Sequence, residues 1–364
     1  MNAPTSIYLD LVRFMAAVTV FISHTSGRRF TGGLFWQTEP YAAQAVNVFF
    51  VLSGFVIAYV TEQREMDARS FAVSRLARIY SVALPALVVT FILDAIGRSI
   101  HPEYYAEWWG YVTDGQVHQF VSSLFFLNRL WWLHVGQGSN IPYWSLNYEV
   151  WYYVIFGLYV FGGRHRLGWA VLAALVAGPN ILFLFPLWLL GVWAYRRCKT
   201  SRLSAAAGVW LCAATFAVWV IYEVCAHLMP LRIVGPIGPF YFPHIAWVQD
   251  YLVGVLFAVH LIGFSAASGL VAPLFSRLRR QIRWVAGATF TIYLFHGPLT
   301  QFFTTIMPWP PESWQAAVLM YPGTLVILFG IAELTERRKD WWRALFARVL
   351  GAPAREVVVP QANR

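Results

Sequence analysis

The stretch Leu9–His24, LDLVRFMAAVTVFISH, combines a long apolar run with three ionisable side chains. At about 1.5 Å per helical residue it is long enough to cross most of a bilayer core. Arg13 and His24 are almost a whole number of turns apart, so they lie on one helical face about 16 Å apart, nearly in line with Asp10. Ionisable groups are costly inside a membrane and usually face protein or water. The stretch therefore predicts a membrane helix with a functional face.

A structural role for these three residues is the alternative. Asp10 and Arg13 have the i,i+3 spacing of an ion pair that stabilises a helix. His24 would then be an interfacial residue at the end of the span. A helix needs no buried charge merely to cross a membrane, and this favours the functional interpretation.

The composition extends the prediction to the whole chain. Its 364 residues are 59% hydrophobic, 18% aromatic and only 12% charged, whereas soluble domains contain about 25% charged residues. The fold class predicted is an all-α, polytopic membrane bundle. Ten spans are expected, near residues 7–24, 43–61, 82–98, 143–162, 167–179, 181–195, 204–225, 244–264, 284–306 and 314–333.

The basic residues predict the orientation of this bundle. Of 27 Lys and Arg residues, 21 lie on the side of the membrane that follows even-numbered spans, and five lie on the other side. The positive-inside rule then places both termini in the cytoplasm. The net charge of +10 is thus explained by topology, and no nucleic-acid partner is expected. Residues 1–334 should form the transmembrane domain, and residues 335–364 a basic cytoplasmic tail.

Further short stretches contain residue types suited to packing or to chemistry. Ser53 and Gly54 are small enough to let two membrane helices approach closely, and packing is the favoured role of Ser53. Arg75 and Arg78 are three residues apart on one helical face. Their guanidinium groups suit phosphate, but positive-inside anchoring explains them equally well.

Polar residues also recur along one face of two later spans. Ser145 and Glu149 share a face of the fourth span, which begins beside Trp144. Tyr293 and His296 belong to a polar stripe on the ninth span. His296 is expected near mid-membrane, where a structural role and a site role are equally plausible.

These stretches resemble, in order, those of acyltransferase family 3, membrane enzymes that O-acylate extracytoplasmic glycans, lipids and small molecules. The matching stretches are Arg13 with His24, FFVLSG at 49–54, RLAR at 75–78 followed by Ile79 and Tyr80, Trp144–Ser145–Leu146 with Glu149, and YLFHGP at 293–298. The resemblance covers residues ~7 to ~300. It implies that Arg75, Arg78, Arg13 and Tyr80 bind acyl-CoA.

The leading hypothesis is an acyltransferase of the bacterial cytoplasmic membrane. It would transfer an acyl group, acetyl in the first instance, from cytoplasmic acyl-CoA to a hydroxyl of an extracytoplasmic saccharide or glycolipid. His24 would be the general base, and Glu149 would orient its imidazole if the two side chains meet. Asp10 and Arg13 complete the catalytic set. Direct transfer and an acyl-histidine relay are both compatible with these residues.

Acyl-CoA enters this hypothesis as a co-substrate; no tightly bound cofactor and no metal site are expected. The competing class is a transporter or flippase of lipid-linked saccharides, since a charged interior would serve either activity. The two halves of the chain show no clear inverted repeat, which disfavours the transporter.

Overall fold

The computed structural model describes residues 1–65, 67–106, 115–228 and 247–351, and every regular element in these ranges is helical. The α-helices are α1 (Ala3–Thr25), α2 (Arg28–Thr31), α3 (Tyr41–Gln63), α4 (Ala68–Ile100), α5 (Glu103–Ala106), α6 (Gln116–Leu124), α7 (Trp144–Phe161), α8 (Arg166–Ala177), α9 (Pro179–Phe183), α10 (Phe185–Thr200), α11 (Ala205–Leu228), α12 (Trp247–Ala267), α13 (Ala272–Ala286), α14 (Thr289–Ile306), α15 (Trp314–Val318), α16 (Thr324–Leu334) and α17 (Lys339–Val349). A π-helical segment, Leu319–Gly323, joins α15 to α16. The all-α prediction is confirmed.

Helix α1 contains the stretch Leu9–His24 and packs within the bundle. The Asn2 side chain accepts a hydrogen bond from the Thr5 amide and caps the helix, satisfying a donor that the first turn leaves without a partner. Its neighbours include α3, α13 and α14. Val20 and Phe21 are buried among them.

Helices α3 and α10 cross at two glycines. A Cβ atom on Gly54 would lie 1.9 Å from the Trp188 carbonyl oxygen, and one on Gly191 would lie 2.0 Å from that of Val51. Only glycine permits this approach, as expected for small residues at a membrane helix crossing. The packing role predicted for Gly54 is therefore confirmed.

Helix α4 is longer than the predicted third span. It is capped by Asp67, whose side chain accepts from the Ser70 amide, and it continues for 33 residues. Arg75 and Arg78 thus belong to the same rigid helix as the predicted span, one that packs against α7, α14 and α17.

Six helical segments in the described ranges are long and apolar enough to cross a membrane. They are Ala3–Thr25, Tyr41–Gln63, Ala68–Ile100, Ala205–Ala226, Val248–Ile306 and Trp314–Val349. The segment Val248–Ile306 contains most of the predicted eighth span and all of the ninth; residues 244–246 lie outside the described ranges. The count of ten spans and the cytoplasmic placement of both termini stay predictions.

The C-terminal segment packs on the bundle. Helix α17 lies against α4, and the Phe346 ring contacts that of Tyr80 at 5.8 Å between centroids. Residues 352–364 of the predicted tail lie outside the described residues, and the domain boundary at residue 334 stays a prediction.

Candidate active site

A cavity of about 500 Å³ lies among α1, α3, α4, α7, α13, α14 and the segment that leads into α17. Three acidic and seven basic side chains line it, so its charge is predominantly positive. The acids are Asp10, Glu149 and Glu336, and the bases are Arg13, Arg75, Arg78, Arg283, Arg337, Lys339 and Arg343.

The cavity contains the charged face that the sequence predicted for α1. Arg13 Nη1 lies 3.3 Å from Asp10 Oδ1, and both residues line the cavity. The i,i+3 pair expected in the structural interpretation thus exists, and it also faces a space large enough for a ligand. The two interpretations are compatible.

Arg75 and Arg78 also line the cavity, but they differ in their contacts. Arg75 forms a 2.8 Å ion pair with Glu65, and both side chains are only 11% exposed. Arg78 forms no side-chain hydrogen bond or ion pair with any described residue. It interacts electrostatically with Glu149, Glu336 and Asp10.

Glu149 is held on the opposite wall by hydroxyl groups. Its Oε1 atom accepts a hydrogen bond from Ser53 Oγ at 2.8 Å and another from the Tyr153 hydroxyl. The Trp188 indole N–H donates to Ser53 Oγ. Ser53, for which packing was the favoured role, is therefore part of a hydrogen-bonded wall that fixes this carboxylate near Arg13 and Arg78.

Phe49, Ser145 and Tyr293 form one connected part of the cavity lining. The hydroxyls of Ser145 and Tyr293 lie 2.6 Å apart, and the Phe49 ring contacts Tyr293 edge-on at 5.4 Å. We refer to these three residues as the end wall. His296 follows Tyr293 by about one turn of α14, with 6.5 Å between the ring centroids.

Beyond the end wall, His24 of α1 and His296 of α14 form a histidine pair. His24 Nδ1 lies 3.0 Å from His296 Nε2, and His296 Nδ1 lies 2.8 Å from the Ile292 carbonyl oxygen. A carbonyl only accepts, so His296 Nδ1 carries the proton and its Nε2 is the acceptor. His24 Nδ1–H must then donate to His296. This leaves the lone pair of His24 on Nε2, the state that a general base requires.

The structure shows no hydrogen bond between His24 and Glu149, the contact on which the orienting role of Glu149 depended. His24 bonds to His296, whereas Glu149 bonds to Ser53 and Tyr153. Glu149 lies one turn of α7 beyond Ser145, which touches Tyr293, and His296 lies almost one turn to the other side. By helical rise the carboxylate and the histidine pair are about 10 Å apart along the bundle. His296 occupies the orienting position that was predicted for Glu149.

The remaining predicted residues lie outside the cavity lining. The Tyr80 hydroxyl donates to the Leu124 carbonyl. Tyr80 does not line the cavity, and its part in acyl-CoA binding stays a prediction. Trp144 packs edge-on against Tyr148 at 5.2 Å, and Gly54 faces α10. Among the described residues, no three His, Cys, Asp or Glu side chains are grouped as a metal site would require.

Four basic residues of the lining were not predicted as site residues from the sequence. Arg283 follows the basic cluster of α13, and Arg337, Lys339 and Arg343 belong to the segment treated as a tail. In the sequence, the positive-inside rule alone accounts for their charge. An amphipathic pattern in 337–350 was the available signal, but it indicates a membrane surface as readily as a ligand.

Comparison with curated proteins identifies acyltransferases. The chain is 28% identical over 190 residues to the acyltransferase MdmB of Streptomyces mycarofaciens, covering 48% of this chain and 46% of that protein. It is 23% identical over 377 aligned positions to the peptidoglycan O-acetyltransferase OatA of Listeria monocytogenes, covering 90% of this chain and 54% of that one. It is also 23% identical over 347 positions to the putative peptidoglycan O-acetyltransferase YrhL of Bacillus subtilis, with coverages of 82% and 49%.

The chain spans about half the length of these curated relatives. No solved structure matches it significantly. The family model described as an acyltransferase domain matches residues 6–333, and these residues contain the histidine pair, the end wall and most of the charged cavity. This chain therefore belongs to acyltransferase family 3.

Proposed function

We propose that the enzyme transfers an acyl group, acetyl in the simplest case, from cytoplasmic acyl-CoA to a hydroxyl of an extracytoplasmic saccharide or glycolipid. The observation that supports this most strongly is the arrangement of the cavity. Exposed cations and the end wall line the same cavity, and Tyr293 of that wall lies about one helical turn from His296, the partner of His24, whose Nε2 lone pair is free. A ligand with phosphates at one end and a thioester at the other would fit this gradient of charge.

The proposed orientation rests on the distribution of Lys and Arg. With ten spans and both termini inside, the basic end of the cavity faces the cytoplasm, where acyl-CoA is made. The histidine pair then lies toward the outside. The glycan acceptor is supported by the relatives named as peptidoglycan O-acetyltransferases. We place the enzyme in a bacterial cytoplasmic membrane for the same reason.

In the proposed reaction the acceptor oxygen attacks the thioester carbonyl carbon. His24 Nε2 takes the hydroxyl proton while the new C–O bond forms. The C–S bond then breaks, and the imidazolium returns the proton to the departing CoA thiolate. His296 stabilises the imidazolium by accepting the Nδ1–H of His24, as a carboxylate does in other triads.

The two sides of the cavity have different roles in this proposal. Arg78 and the exposed cations bind the phosphates, while Asp10 pairs with Arg13 and Glu149 lies near both arginines. The narrow arm of the acyl-CoA reaches the end wall. There, Ser145 and Tyr293 place two hydroxyls in the cavity lining, and we assign them to the thioester carbonyl.

The test compares wild type with His24→Ala in a strain from which the gene is deleted. Membranes receive radiolabelled acetyl-CoA, and O-acetyl groups on envelope glycans are measured by mass spectrometry. Wild type should transfer the label, and His24→Ala should be slower by about 10²–10⁴-fold. Equal abundance and equal thermal melting control for folding.

Two results would refute the proposal. Activity of His24→Ala within a few-fold of wild type would exclude the base, and no acetyl transfer by wild type would exclude the donor or the acceptor class. Movement of saccharide across the membrane without acylation would support the transporter alternative.

A further inference from the structure

The seven cavity cations divide into those with a protein partner and those without one. Arg13 pairs with Asp10 and Arg75 with Glu65. Arg337 donates to Glu333 and to the Trp284 carbonyl, and its guanidinium lies over the Trp284 ring. These three charges are already balanced within the protein, so they attract a further anion least.

The other four cations are available to a ligand. Among the described residues, Arg78, Arg283 and Lys339 have no side-chain hydrogen bond or ion pair, and Arg343 has only a 3.7 Å ion pair with the exposed Asp340. Arg78 lies inside the cavity beside Glu149 and Glu336. Arg283, Lys339 and Arg343 are exposed at its end, and we call these three the outer cations.

Two of the outer cations belong to a segment that is firmly attached to the bundle. Glu336 Oε2 accepts hydrogen bonds from the Phe290 and Thr291 amides, each at 3.0 Å, at the beginning of α14. Lys339 and Arg343 follow at i,i+4 spacing and share one face of α17. Packing of α17 on α4 holds this face at the cavity.

We propose that the outer cations form a subsite for the 3′-phosphate of acyl-CoA; this inference rests on the proposed function. Acyl-CoA enters the cavity with its thioester first, so its diphosphate follows and its 3′-phosphate nucleotide stays outermost. The diphosphate reaches the buried Arg78, and the dianionic 3′-phosphate meets the three cations at the surface. Clusters of Arg and Lys around phosphate form charge-assisted hydrogen bonds of this kind.

Residues outside the region matched by the family model would then help to select the acyl-CoA donor. The family model ends at residue 333, and Lys339 and Arg343 lie after it. A basic helix at a membrane surface also attracts anionic lipid headgroups. The experiment must therefore separate a nucleotide phosphate from a lipid phosphate.

The experiment uses 3′-dephospho-CoA, which lacks only the proposed ligand group. The full chain is reconstituted in nanodiscs of neutral phosphatidylcholine, and the dissociation constants of CoA and 3′-dephospho-CoA are measured by calorimetry. Wild type should bind CoA at least tenfold more tightly than 3′-dephospho-CoA. The double variant Lys339→Gln/Arg343→Gln should lose this preference, because the substitutions weaken the binding of CoA and leave that of 3′-dephospho-CoA unchanged.

A matched control removes two tail charges that do not line the cavity. Arg338→Gln combined with Arg348→Gln should keep the wild-type preference for CoA. Arg283→Gln, on α13, provides the same comparison if the first double variant fails to fold. The preference of Arg283→Gln for CoA over 3′-dephospho-CoA should fall by several-fold.

Each outcome has one interpretation. A preference that survives in the Lys339/Arg343 and Arg283 variants would overturn the inference and leave the proposed function intact. Equal affinity of wild type for CoA and 3′-dephospho-CoA in neutral nanodiscs would overturn it as well, and binding of anionic phosphatidylglycerol that depends on Lys339 and Arg343 would then assign the cluster to lipid. Failure of wild type to bind either nucleotide would overturn the proposed function itself.

Discussion

Replacing His296 by Leu should lower turnover without weakening acyl-CoA binding. His296 is fully buried, and its Nε2 accepts the Nδ1–H of His24 at 3.0 Å. This bond holds the lone pair of His24 on Nε2, and in the reaction it is made to a charged imidazolium. Leu keeps the site apolar and removes the acceptor.

The size of the expected loss in kcat follows from the loss of that single hydrogen bond. A hydrogen bond to a charged group contributes about 1.5–3 kcal/mol, which corresponds to about a 10- to 150-fold loss in kcat. The KM for acyl-CoA should stay within about twofold of the wild-type value, because the phosphate-binding cations line the cavity and His296 does not. His296→Gln should recover part of the loss, since its amide oxygen can accept the His24 proton.

The assay is radiolabelled acetyl transfer by nanodisc-embedded variants, with kcat and KM determined separately. Thermal melting of each variant controls for the cavity that Leu leaves. Turnover of His296→Leu within twofold of wild type would refute the reasoning. A higher KM with unchanged kcat would also refute it, because it would assign His296 to donor binding.

Three further substitutions test the other parts of the site. Arg78→Ala should raise the KM for acyl-CoA at least tenfold. Arg75→Ala should mainly lower the melting temperature, because it leaves buried Glu65 without its partner at a cost of about 3–5 kcal/mol. A raised KM for Arg75→Ala together with a lowered melting temperature for Arg78→Ala would contradict the contacts. Glu149→Gln should change acyl-CoA affinity and leave the pH profile of kcat unchanged, since Glu149 does not touch His24; a displaced acidic limb would count against this. Gly54→Leu should prevent correct packing of α3 on α10, seen as loss of the monodisperse protein in gel filtration, and a wild-type elution profile would show that the crossing tolerates a side chain.

Residue composition and helical spacing were sufficient to predict the class of the protein and several elements of its site. Composition predicted an all-α membrane protein, and helical spacing predicted the Asp10–Arg13 pair. The same rule predicted that Ser145 and Glu149 share a face of α7, and both line the cavity. These features were accessible because they depend on residues within a few turns of one helix.

Which helix faces meet depends on how the helices pack, and residue spacing does not show this. The histidine pair joins residues 272 positions apart, and the segment expected to form a separate tail contributes Lys339 and Arg343 to the cavity. Helical periodicity shows which residues share a face but not which helix that face contacts. In a membrane the difficulty is greater, because a face that touches lipid and one that touches another helix are equally apolar. For this reason the sequence could propose Glu149 as the partner of His24, whereas the packing of α1 against α14 gave that place to His296.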